Sequence, residues 1–217
     1  MSLKIALISV KGGSGKSTTA SALAAAFARM GKSVALLDLD SQGTLIKWGQ
    51  ARQGRGGDLP EITVEKIAAA DAEKAFDALE RAGADVIIAD TSPRATSSQM
   101  GLARIADIIL VPCQPSMPDI DGVHQTHEIL RHIKGALEKS RLVITRAATD
   151  ISAKNETWMV ADHVKQLYKI DMIATITNRK IWQRAMAFGV DVAEVDSTSK
   201  AAKELDYLVR MIMKGHK

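Results

Sequence analysis

Cysteine is nearly absent: Cys113 is the only one in 217 residues. One thiol cannot close an intramolecular disulfide, hold an iron–sulfur cluster within one chain or build a four-cysteine zinc site, and it fits a reducing compartment. Aromatic residues are scarce at 4%, so the core must be built mainly from Ala, Ile, Leu, Val and Met. No apolar stretch approaches the roughly 18 residues that a membrane span requires. The first apolar run, in MSLKIALISVKGG, is seven or eight residues long and leads straight into glycines, so no secretory leader is expected. Internal repeats, low-complexity tracts and linkers are missing too, and 1–217 reads as one domain. Charge is balanced in residues 1–140, with 16 Lys+Arg and 16 Asp+Glu. The remaining residues hold 13 and 9, so the net +4 lies in the C-terminal third. That placement suits either a solvated basic surface or an anionic partner such as nucleic acid or an acidic lipid surface.

What is present begins with apolar, β-branched runs at 3–10, 33–39, 85–89, 107–111, 141–145 and 172–176. They show little polar alternation, the pattern of strands buried on both faces. Between them, helical spacing covers 18–30, 71–82, 119–138, 156–168 and 200–213. Alternation of buried strands with helices predicts an α/β fold: an open, mostly parallel twisted sheet with helices on both faces. Ligands bind such sheets beyond the C-terminal ends of the strands. The most loop-like segment is RQGRGGDLP, residues 52–60.

The stretch VKGGSGKST, residues 10–18, follows a predicted strand and opens a predicted helix. It has the ending of a phosphate-binding P-loop, G-K-S, but Val10 stands where the first glycine of that pattern belongs, and Lys11 follows it. In such a loop, glycines let several backbone N–H groups face one phosphate at a helix N-terminus. Gly12, Gly13, Ser14 and Gly15 would form the cradle. Lys16 would reach the β- and γ-phosphates, Ser17 would bind Mg²⁺, and Thr18 would meet the α-phosphate. In LLDLDSQG, Asp38 and Asp40 flank one residue, so on a strand they would face the same way. One carboxylate could position attacking water while the other assists the metal shell. The alternative is a pair of turn-forming or N-cap aspartates. DVIIADTSP ends an apolar run in Asp90, a Walker-B arrangement in which the carboxylate holds Mg²⁺.

Together KGGSGKST with Lys11, DLDSQG and the apolar run ending in Asp90 resemble the deviant Walker-A ATPases of the ParA/MinD class, over most of the chain. The early glycine loop resembles the small partition ATPases without an N-terminal helix-turn-helix domain. The resemblance implies an ATP/ADP- and Mg²⁺-dependent ATPase, slow alone, that pairs as a homodimer around ATP. Lys11 matches the signature lysine that reaches the nucleotide of the other subunit. Catalytic roles then fall to Lys11, Lys16 and Asp40, with Asp38 in support, and the metal to Ser17, Asp90 and Asp38. The segment VPCQPSMPDIDG, 111–122, resembles the loop walling the adenine pocket, which implicates Pro112, Gln114 and Pro115; Arg146 is implicated beside it. Ser41 replaces the usual proline of DxDPQG, and Thr145 stands where Asn is common. Arg179, Lys180, Arg184, Lys200 and Lys203 match a region that binds DNA without sequence preference. The implied biology is plasmid or chromosome segregation in the cytoplasm, on the nucleoid when ATP is bound, with a centromere-binding or adaptor protein that stimulates hydrolysis. Two alternatives share these motifs: a positioning ATPase for a protein cargo, and a MinD-like membrane switch acting through the last helix. The expectation here is that the last helix packs on the domain and binds no membrane. His124, His127 and His132 lack the carboxylate pattern of a metal site, and Cys113 is expected to pack.

Overall fold

The computed structural model describes residues 1–93, 96–150 and 154–215. Its strands are β1 (Leu3–Leu7), β2 (Val34–Asp38), β3 (Thr63–Lys66), β4 (Val86–Asp90), β5 (Ile108–Cys113), β6 (Ser140–Ala147) and β7 (Asp171–Thr177). They form one sheet in the order β3-β2-β4-β1-β5-β6-β7, and every pairing is parallel. Every residue of β2, β4 and β5 is buried, which is why these strands read as unbroken apolar runs. The edge strand β3, TVEK, is mostly exposed. Its charged residues suit an edge that must not pair further, and they hid it from the apolar pattern.

One sheet face is covered by α1 (Lys16–Arg29), α2 (Thr44–Arg55), α7 (Lys180–Ala187), α8 (Val192–Val195) and α9 (Lys200–Gly215). Ile5 and Leu7 pack there with Leu23, Phe27, Trp48, Trp182, Leu205 and Leu208. The other face carries α3 (Ala72–Arg81), α4 (Thr96–Ile105), α5 (Met117–Leu130) and α6 (Lys154–Tyr168). Ala6 and Ile8 point to it and meet Phe76, Leu102, Val123 and Val164. Neighbours along β1 thus serve opposite cores, the two-residue period of a strand. The alanine-rich α1 is buried almost throughout. Small side chains let it lie close to the sheet and to α2, α7 and α9, which pack around it.

Two segments differ from the sequence expectation. The helix expected over 119–138 ends at Leu130, and turns follow, with Gly135 at φ +76°. Residues 52–55 of the expected loop are the last turn of α2. Arg52 is buried, and its guanidinium donates to both Glu194 oxygens at 2.8 and 2.9 Å, to Gly189 O at 3.1 Å and to Pro60 O at 3.0 Å. A buried charge needs such pairing. Gly189, at φ +69°, makes the approach possible, because a Cβ there would lie 2.2 Å from the Arg52 amide nitrogen.

Candidate nucleotide-binding site

The site lies where the loops after β1, β2 and β4 gather at the C-terminal edge of the sheet. The chain leaves β1 for α1 on one face and leaves β4 and β5 for α4 and α5 on the other. The loops therefore part, as at the crevice of other open α/β sheets. A crevice of about 900 Å³ results, lined by Lys11–Gly13, Gly15–Thr18, Asp40–Gln42, Pro118, Gly122 and Arg146 among others.

Gly13 (φ +76°) and Gly15 (φ +98°) are left-handed, a conformation that suits glycine and turns the loop around its backbone N–H groups. A Cβ on Gly15 would also crowd Thr145 Cγ2 at 3.1 Å. Thr145 braces the loop by donating to Ser14 O at 2.7 Å, and Gln114 Nε2 donates to Gly13 O at 2.8 Å. Lys16 is buried, and its ammonium donates to Ser9 O and Lys11 O, both at 3.1 Å. Burial holds its pKa below the usual lysine range, with Asp90 and Asp40 acting against that shift.

Ser17 Oγ donates to Asp90 Oδ2 at 2.5 Å. Asp90 is buried behind Ser17, and its Oδ1 has no hydrogen-bond partner among the described residues. Burial pushes its carboxyl up to about 7, although the Ser17 hydrogen bond and the Lys16 charge pull the other way. A serine hydroxyl beside a carboxylate with an unfilled oxygen is a donor set that fits Mg²⁺.

The two aspartates after β2 do not act as a matched pair. The strand ends at Asp38. Asp38 is fully buried; its Oδ2 accepts from Leu45 N at 2.9 Å and Ile46 N at 3.2 Å, and its Oδ1 accepts from Asp40 N at 3.0 Å. Oδ2 thus anchors the first turn of α2 and Oδ1 the loop before it, so the metal-shell role expected of Asp38 finds both oxygens already engaged by backbone N–H groups. Asp40 lies beyond the strand and lines the crevice, with Oδ1 accepting from Gln42 N at 3.1 Å. Lys11 sits at the crevice rim, its side chain 30% exposed, and its Nζ meets Asp119 Oδ2 of α5 at 2.6 Å.

A second cavity, of about 580 Å³, adjoins the first and shares Gly15, Thr18, Thr44 and Arg146 with it. Its walls include Trp48, Thr145, Ile176, Thr177, Asn178, Trp182 and Met186. Apolar and aromatic walls with a few polar groups suit a flat heterocycle beside the phosphates. A base held there would sit at the ends of β6 and β7 and against α7. Pro112, Gln114 and Pro115, expected to wall it, line neither cavity; Gln114 instead braces the glycine loop. Arg146 reaches both cavities because β6 breaks register between Ile144 and Ala147 and Arg146 adopts φ +50°. Asn178, Trp182 and Met186 also line this cavity, and the sequence did not single them out. Their sequence signal, a strand end followed by a short helix, is that of any α/β connection.

Of the basic residues singled out, Lys180, Arg184, Lys200 and Lys203 are exposed, with no ion pair within 4 Å among the described residues. Arg179 differs: it is half-buried, lines the second cavity, and has Nε 3.7 Å from Glu204. The apolar stripe of α9 (Ala201, Ala202, Leu205, Leu208, Val209, Ile212) is buried in the core. No helix among the described residues is long and apolar enough to cross a membrane. His124 and His127 pack on Tyr168, with ring centroids 5.8 and 5.1 Å away. No group of three metal-ligating side chains exists among the described residues. Cys113 is buried, and burial pushes its thiol up to about 12, which makes it a poor nucleophile.

Residues 5–192 match the CobQ/CobB/MinD/ParA nucleotide-binding domain model. The chain belongs to this family. It is 31% identical over 160 residues to the chromosome-partitioning ATPase Soj of Thermus thermophilus, covering 62% of this chain and 64% of Soj; the chain thus spans less than two thirds of that relative. Its fold matches a plasmid partition protein of Borrelia burgdorferi solved with AMPPNP, with TM-score 0.74, 18% identity and 99% of each chain covered. It also matches the septum site-determining protein MinD of Pyrococcus horikoshii solved with Mg-ADP, with TM-score 0.73, 15% identity, and 99% and 97% covered. Within the matched range, the glycine loop, Ser17 and Asp90 lie at the C-terminal ends of the strands, where open parallel sheets bind ligands.

Proposed function

We propose that this chain is a partition ATPase that hydrolyses ATP with Mg²⁺, pairs as a homodimer around ATP, and holds nonspecific DNA in that state. The observation that carries the reading is the unequal placement of two lysines in one phosphate crevice. Lys16 is buried inside the loop and serves as the phosphate clamp of its own subunit. Lys11 stands at the open rim, where its charge can reach a nucleotide in a second subunit.

The roles follow from this placement. Loop N–H groups and Lys16 hold the β- and γ-phosphates. Ser17 and Asp90 would hold Mg²⁺, which supplies positive charge against the phosphate oxygens. Asp40, facing the crevice, positions water. Lys11 of the second subunit adds charge to a transition state whose negative charge is spread over oxygens, in the manner of an arginine finger. Pairing therefore depends on ATP and ends with hydrolysis. Lys180, Arg184, Lys200 and Lys203 provide the DNA-facing charge. The working location is the cytoplasm, on the nucleoid in the ATP state, with an adaptor protein that speeds hydrolysis. The names of Soj and of the Borrelia neighbour support segregation of DNA as the task. A MinD-like membrane switch is the weaker reading, because the stripe of α9 that would meet lipid is covered by the core.

The test is binding to a random-sequence duplex at moderate salt with ATP, ADP or no nucleotide, for the wild type and Lys11→Ala. Binding that requires ATP and is lost in Lys11→Ala is expected. Binding indifferent to nucleotide would overturn the reading of DNA as a track and redirect attention to a protein cargo.

A further inference from the structure

Lys11 is not free at the crevice rim. Its ammonium meets Asp119 Oδ2 at 2.6 Å, and the Asp119 side chain is only 4% exposed. The same oxygen accepts from Ser116 Oγ at 2.6 Å, and Oδ1 accepts from Gln114 N at 3.3 Å. The lysine stem also has a prepared seat. Gly122, about one helical turn beyond Asp119 on α5, leaves room for it; a Cβ at 122 would stand 3.0 Å from Lys11 Cβ.

We infer that Asp119 is a positioning residue for Lys11: it keeps the lysine in its own subunit and makes pairing conditional on the γ-phosphate. The inference rests on the ATP-sandwich reading above. The argument is an exchange of anions. If Lys11 leaves, a nearly buried carboxylate keeps one hydroxyl and one long N–H contact, and an uncompensated buried charge is strongly unfavourable. Lys11 therefore departs only toward an anion that attracts it more strongly. The γ-phosphate carries more charge than a carboxylate, offers several oxygens and extends one phosphate beyond the β-phosphate that ends ADP. ADP lacks that group, so with ADP the lysine stays on Asp119. The carboxylate thus works against pairing in every state, and ATP alone overcomes it.

Asp119→Asn removes the charge but keeps the shape and an acceptor for Ser116. Gly122→Ala loosens the same contact from the other side, by crowding the Lys11 stem. The experiment is analytical ultracentrifugation over a protein concentration series, with a non-hydrolysable ATP analogue, ADP or no nucleotide. Wild type, Asp119→Asn, Gly122→Ala and Asp119→Asn/Lys11→Ala are compared, with thermal melts confirming that each is folded. For Asp119→Asn with the ATP analogue, the concentration at half-pairing should fall about tenfold, the size of a modest population shift. Gly122→Ala should move the same way, and some pairing should appear with ADP. The double variant should lose the gain, which shows that the effect runs through Lys11. If wild type pairs with the ATP analogue but both single variants pair no better, the inference is overturned and Asp119 merely caps α5. If wild type does not pair with any nucleotide, the sandwich reading itself fails and the inference falls with it.

Discussion

Asp90 is a buried carboxyl behind the crevice, and burial penalises its charged form. A carboxyl raised to about 7 by burial binds its proton more tightly in the folded chain than in the unfolded one, where its pKa is near 4. Folding then takes up a proton between those values, so stability falls as pH rises through that window and levels off above about 7. The prediction concerns the protein with chelator and without nucleotide. Asp90→Asn removes the penalty, so the variant should gain on wild type as pH rises from 5 to 8, by on the order of 1–4 kcal/mol. Urea unfolding at the two pH values measures the difference. A gap between variant and wild type that is the same at both values would contradict the assignment. The same residue shows how far a sequence can reach. An aspartate closing the run VIIA was visible as a strand end, but its unfilled Oδ1 and its hydrogen bond to Ser17 depend on how β1 and β4 align, with Leu7 opposite Asp90.

At the scale of elements, Asp38 and α2 belong together. The carboxylate receives three backbone N–H groups, two from the opening turn of α2, and buried donors left without a partner are costly. Asp38→Ala should lower stability by about 1–3 kcal/mol, read as a reduced denaturation midpoint in urea. A variant as stable as wild type that had lost only hydrolysis would return Asp38 to the catalytic machinery. The sequence shows two aspartates one residue apart; it does not show that the strand stops at the first. Helix α2 was hidden for a related reason. Its glycines at 49 and 54 and the glycines just after it imitate a loop, and what holds the helix is remote: Arg52 gripping Glu194 and Trp48 reaching Val190 O. The buried central strands were legible because unbroken apolar runs have few other meanings. Strand β3 was not, since an edge needs no such run.

For the whole molecule, the basic excess divides by geometry into two groups that the sequence could not separate. Arg179 turns toward the second cavity, the one suited to a base, and toward Glu204. Lys180 and Arg184 start on the same helix turn or the next but face solvent, as do Lys200 and Lys203 at the start of α9. Adjacent positions on a helix point in different directions, so neighbours in sequence need not share a ligand. Exposed lysine and arginine bind phosphates by releasing counterions, and each lost contact lowers the salt dependence of log affinity by about one unit. Lys180→Ala and Arg184→Ala should therefore weaken ATP-dependent duplex binding equally across sequences and flatten its salt dependence, while nucleotide affinity stays unchanged. Arg179→Ala should do the reverse, weakening nucleotide binding and leaving the salt slope in place. Fluorescence anisotropy with labelled duplex between 50 and 200 mM salt, the range over which such contacts change affinity steeply, checks the first pair, and titration with a fluorescent ATP analogue checks the second. If Arg179→Ala flattened the salt slope as Lys180→Ala does, the basic face would extend to the mouth of the base cavity, and DNA would lie across the edge of the nucleotide site.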